Sequence, residues 1–111
     1  MGLATHLLEQ IQLLAKQSPH QEVCGIIDDA LYIHPITNVA KHGLTCFVFS
    51  RKEYFTLLNT LQKEGRRVLC VYHSHPSGNV EASKADIEFT KRSGLPQLIV
   101  TPTAYRIIEN A

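Results

Sequence analysis

Residues 67–86 read RVLCVYHSHPSGNVEASKAD, and the rest of the fold is organised around this stretch. The run Arg67 to Tyr72 is apolar throughout, as expected of a central strand covered on both faces, and it delivers the chain directly into His73. Pro76-Ser77-Gly78-Asn79 is a loop. Ser83, with Asp86 three residues on, has the spacing of a capping box, which opens a helix over Lys84 to Ser93 that closes at Gly94.

Upstream of this stretch, Leu3, Leu7, Leu8, Ile11, Leu14 and Ala15 recur at three- and four-residue steps, the pattern of an amphipathic helix stopped by Ser18-Pro19. Glu22 to Ile27 reads as a short apolar strand, Asp28-Asp29 as a turn and Leu31 to Ile36 as a second strand. Pro35 suggests that this second strand lies at an edge or ends there. The β-branched and aromatic run Leu44 to Phe49 reads as a third strand. Ser50 and Glu53 form a second capping box, followed by a stripe of Tyr54, Leu57, Leu58 and Leu61 that ends at Glu64-Gly65. Downstream, QLIVT and YRIIE are strands separated by Pro102-Thr103. The predicted order α-β-β-β-α-β-α-β-β describes a single α/β (α+β) domain over residues 1–111, a mixed sheet sandwiched by helices.

The chain length of 111 residues suits one hydrophobic core. A formal charge of +1 with 19% charged residues gives no excess that would favour nucleic acid or a membrane surface, so partners must be argued from a site. No apolar stretch approaches the ~20 residues of a bilayer span. MGLATHLLEQ lacks the basic and apolar regions of a secretory signal, and a cytoplasmic setting is expected. Cys24, Cys46 and Cys70 contain no CxxC and are expected to be small buried hydrophobes.

A strand period of two puts His73 and His75 on one side of the chain, where both imidazoles can address one metal ion. Asp86 is the best third ligand, because the glycine-containing loop can fold the helix start back toward the histidines. Such a set leaves a coordination position open for water. Each half has a plain structural explanation: an HxH pair at a strand end is commonly a solvated terminus, and Ser83 with Asp86 is accounted for as a helix cap. Their combination, with Pro76 fixing the exit and six residues leading to Ser83, is what points to a site.

The pattern HxHP, six residues, then SxxD, preceded by a glutamate on an early strand, resembles the zinc-site signature of JAMM (MPN-plus) metallopeptidases. The resemblance runs from Glu22 to about Pro102. It implies an MPN, cytidine deaminase-like architecture, one zinc ion per chain held by His73, His75 and Asp86, Ser83 assisting the transition state, and Glu22 as general acid/base. The stretches HSHPSGNVEASKAD and KRSGLPQLIV are further similar to the JAMM domain of lambda K-type phage tail assembly proteins.

That likeness implies hydrolysis of a peptide or isopeptide bond, with a ubiquitin-like or tail-assembly protein as substrate. Zinc in such a site acidifies bound water and polarises a carbonyl. The alternatives are a catalytically silent MPN-type scaffold or phage-tail module, and a structural zinc site completed by Cys24. Filled positions at all five places favour catalysis. Ser74 is a plausible hydrogen-bonding partner in the loop but reads first as a spacer facing away from the metal, and His6, His20, His34 and His42 are expected to be surface or structural.

Overall fold

Alternation along buried strands dictates two cores, one on each face of a sheet. The computed structural model describes residues 4–109, so Leu3, the first position of the predicted helical stripe, lies outside the described residues. Its elements follow in the order α1 (Thr5–Gln17), β1 (Cys24–Asp28), β2 (Ile33–Ile36), α2 (Arg51–Lys63), β3 (Val68–Ser74), α3 (Lys84–Ser93), β4 (Gln97–Val100) and β5 (Tyr105–Ile108). The five strands form one mixed sheet ordered β2-β1-β3-β4-β5, and the whole is a single α/β domain. Only the β3–β4 pair is parallel, and α3 supplies the crossover that a parallel pair requires.

Ile27, Cys70, Tyr72, Leu98 and Val100 pack with Ile11 and Ala15 of α1 on one face. On the other face Ile26, Ile36 and Val71 pack with Leu61 of α2, joined by Phe47, Phe49 and Phe89 of α3. Tyr72 lies against Gly25, where a Cβ would come within 2.6 Å of the phenol oxygen and 2.4 Å of the His34 carbonyl. Only glycine lets the ring lie there. Among the described residues no helix is long and apolar enough to cross a membrane.

The predicted third strand, Leu44 to Phe49, forms no ladder; its one strand-like contact is an isolated bridge between Asn38 and Phe49. The physical reason is Asn38. Its amide nitrogen donates to the carbonyls of Glu22 (3.0 Å) and Cys46 (3.1 Å), and its oxygen accepts from the N–H groups of Ala40 and Val48 (3.0 Å each). One side chain thus takes the bonds that a strand neighbour would have made.

Several boundaries also move. Glu22 and Val23 precede β1, and Asp28 stays in it. The Asp28 carboxylate accepts from the N–H groups of Ala30 (2.8 Å) and Tyr32 (3.1 Å), which lengthens the turn and delays β2 to Ile33. Ser50 caps α2 through the Glu53 N–H (3.4 Å), but the Glu53 carboxylate accepts from Thr37 N–H (3.0 Å) instead of closing a capping box. Gly65 and Gly94 both take φ of 70°, the left-handed helix ends that their positions predict. Cys24 and Cys70 are buried as expected, whereas Cys46 is exposed, because the turn at His42 carries it outward.

Candidate metal centre

Strand β3 runs two residues further than its apolar stretch, so His73 is a strand residue, paired with Cys24 of β1 and Ile99 of β4. His73 is fully buried and His75, one step beyond the strand end, is half-buried. The two Nε2 atoms lie 3.0 Å apart, as the period of two requires. The loop then returns the chain to α3, whose N-terminus carries the complete Ser83–Asp86 capping box. Ser83 Oγ accepts from Asp86 N–H and the Asp86 carboxylate accepts from Ser83 N–H, each at 3.0 Å.

That box holds the Asp86 carboxylate against both imidazoles, with Oδ1 3.3 Å from His73 Nε2 and Oδ2 3.2 Å from His75 Nε2. Glu22, on the segment leading into β1, brings its carboxylate within 4.8 Å of the ligand-type nitrogens of His73 and His75. Glu22, His73 and His75 therefore form a possible metal site, with Asp86 touching both histidines. Two imidazoles and carboxylates are the donor types that divalent zinc takes, and zinc bonds of ~2.0–2.1 Å set ligand edges of about 3.3 Å in a tetrahedron. The two imidazole nitrogens lie 3.0 Å apart, near that edge, and the Asp86 carboxylate reaches each of them with one oxygen at 3.2 to 3.3 Å.

The two carboxylates sit in opposite electrostatic states. Burial pushes Glu22 up to about 7, with His75 drawing it down and Asp86 raising it further. Burial also works to raise Asp86, but the contacts of its two oxygens with His73 and His75 outweigh it and hold this carboxyl well below the usual range. Burial lowers His73, whereas the hydrogen bond to Asp86 raises His75. An anion fixed beside two imidazoles and a second carboxyl poised near neutrality is the division of labour that metal-assisted proton transfer needs.

Cys24 does not join the cluster. Its thiol donates to the Ile36 carbonyl at 3.3 Å, and burial pushes it up to about 12, which keeps it neutral.

A family model described as prokaryotic homologs of the JAB domain matches residues 4–110. The chain belongs to this JAB family. Desampylase of Haloferax volcanii is 30% identical to this JAB domain over 94 residues, 79% of this chain and 68% of that protein. A probable TtuB-protein conjugate cleaving protease of Thermus thermophilus is 35% identical over 54 residues, 49% of this chain and 36% of the relative. Two solution structures share the fold. A protein of Desulfitobacterium hafniense superimposes with a TM-score of 0.74 at 22% identity, covering 94% of this chain and 78% of that one. One from Salinibacter ruber gives 0.65 at 24% identity, covering 100% and 82%. The family expected from the residues is thus the family found; the phage-tail likeness stays an expectation from sequence.

Three residues beside the cluster were given no place in it from the sequence. Ser74, expected to be a spacer, accepts the Val23 N–H on its Oγ at 2.8 Å and donates its own N–H to the Val23 carbonyl at 2.9 Å. It fastens the backbone next to Glu22 to the histidine strand. Glu22 itself is further anchored by its N–H to the Gly43 carbonyl. Phe47 stacks on the His73 ring, centroids 4.6 Å apart and planes 26° from parallel. Gln97 lies fully buried beneath α3 and donates to the Asp86 carbonyl. The apolar signature of Phe47 was visible in its segment; Ser74 and Gln97 carried no local signal. Among the remaining histidines, His6, His20 and His42 are exposed, and His34 pairs with Asp28 at 2.7 Å.

Proposed function

We propose that this JAB domain is a zinc-dependent isopeptidase that hydrolyses the amide bond between a ubiquitin-like protein and its target. The observation that carries the reading is the convergence of two imidazoles with Asp86 and with a glutamate that burial pushes up to about 7. The name desampylase, carried by a relative matched over two thirds of its own length, supports the substrate class. A cytoplasmic setting belongs to the same reading, and three free thiols suit a reducing compartment.

In this reading His73, His75 and Asp86 hold the ion and Glu22 stays outside the ligand set, since a carboxyl at about 7 serves better as a base. When bound, the ion supplies an acidified water and a Lewis acid for the substrate carbonyl. Glu22 takes a proton from the attacking water and returns it to the departing amine as the carbon–nitrogen bond breaks. The Ser83 hydroxyl donates to the oxygen on which negative charge develops. Cap and catalysis do not compete for it, because the cap uses an oxygen lone pair and leaves the hydroxyl proton free. An extended substrate tail would enter as an added strand.

The test pairs zinc analysis with cleavage of linear ubiquitin-like-protein fusions by wild type and Glu22→Gln. Full zinc in both, with cleavage reduced by roughly 10²–10⁴ in the variant, is the expected result. Equal cleavage removes Glu22 from the mechanism. A zinc-loaded wild type that cleaves none of the fusions overturns the isopeptidase reading in favour of a scaffold.

A further inference from the structure

Gln97 opens β4 at the centre of the molecule and has no exposed surface. Its amide nitrogen donates twice, to the Asp86 carbonyl at 3.0 Å and to Thr90 Oγ1 at 3.1 Å, so one side chain clamps the first turns of α3 to the sheet. These bonds fix the amide orientation, because a carbonyl only accepts. The remaining atom, Oε1, is buried and completes no hydrogen bond among the described residues. Nδ1 of His73 is in the same condition.

The two atoms belong together. Gln97 pairs with Val71 and Ile99 with His73 on the parallel strands, so the His73 and Gln97 side chains rise from the same face of the sheet, two residues apart in register. A buried polar group left without a partner is destabilising, and one bond from Nδ1–H to Oε1 would satisfy both. The pull of Gln97 on the His73 proton, acting against burial, agrees with that pairing.

We propose that Gln97 is the positioning residue of the metal centre: it fixes His73 as the Nδ1–H tautomer, leaving Nε2 free to ligate, and simultaneously seats the helix turn that carries Asp86. One side chain outside the ligand set thereby orients two of the three groups assigned as ligands. The inference rests on the metal-centre reading. Partners of this kind to ligating histidines typically change metal affinity 10–100-fold.

The experiment measures zinc affinity by competition with a chromophoric chelator for wild type, Gln97→Met and Gln97→Glu, alongside thermal melts of the metal-free proteins. Gln97→Met is expected to lose roughly 10–100-fold in affinity, and Gln97→Glu, which restores the acceptor for Nδ1–H but not the donor to the Asp86 carbonyl, to recover part of it. A lowered melting temperature with unchanged zinc affinity in Gln97→Met makes the residue a structural clamp only and overturns the proposal. Wild-type protein that takes up no zinc overturns the metal-centre reading instead. Should the variants fail to fold, imidazole nitrogen-15 shifts in wild type decide the matter: a protonated Nδ1 on His73 supports the assignment, and a protonated Nε2 with bare Nδ1 refutes it.

Discussion

At the scale of single residues, Ser83 caps α3 and, in the proposed reading, uses the same oxygen's hydroxyl proton in catalysis. Ser83→Ala removes both the cap and the hydroxyl, and should cost about 1 kcal/mol of stability together with ~10²–10³ in cleavage rate. Ser83→Gly caps nearly as well, losing only a few tenths of a kcal/mol, yet should cleave as slowly as the alanine variant. Thermal melts and fusion-cleavage rates on the two variants check this, and equal rates for Ser83→Gly and wild type would release the hydroxyl from catalysis. The thiols give a second expectation. Cys24 and Cys70 are buried with thiols pushed up to about 12, while Cys46 is exposed. A colourimetric disulfide reagent should therefore titrate Cys46 quickly in the native protein and the other two only after denaturation. His73, His75, Ser83 and Asp86 were legible in the sequence because they lie on one short stretch with fixed spacing. Ser74 and Gln97 were not, because their partners are supplied by other strands and helices.

At the scale of elements, β1 depends on a missing side chain. Gly25→Ala would drive a methyl group into the His34 carbonyl and the buried Tyr72 phenol. Overpacking of this kind costs about 1–3 kcal/mol, which urea unfolding should register as a lower midpoint. The helices were readable to within a residue or two because their signals are local: Ser50 and Ser83 at the start, Gly65 and Gly94 just past the end. Leu44 to Phe49 misled for the converse reason. Its composition favours a strand, but whether a strand forms depends on a neighbour with free backbone, and the Asn38 amide occupies that position. Phe47 and Phe49 still turn inward as a strand's alternate residues would, so the segment keeps the period without the ladder.

At the scale of the whole molecule, a second polar cluster lies away from the candidate metal site. Asp28 is completely buried and meets His34 Nε2 and Arg66 Nη1 at 2.7 Å each, in addition to its two backbone donors. Burial opposes its charge, but the His34, Tyr32, Ala30 and Arg66 interactions outweigh burial and hold the carboxyl below its ordinary value. A folded pKa beneath the unfolded one means the stabilisation is complete above about pH 4 and drains away as acidity increases through the folded value. Asp28→Asn should lose about 2–4 kcal/mol near neutrality, and the gap from wild type should narrow below pH 4 in urea titrations run across pH. The mixed sheet and its helical layers were legible from apolar patterning, whereas the strand order was not, since pairing is decided by contacts remote in sequence. That order separates the two halves of the site by origin. His75 and Asp86 stand eleven positions apart, while Val23 and Ser74, which bring the base alongside, are fifty-one apart. In the proposed reading, a change that displaces Glu22 while leaving β3 and α3 in place would thus silence the chemistry and spare cation uptake.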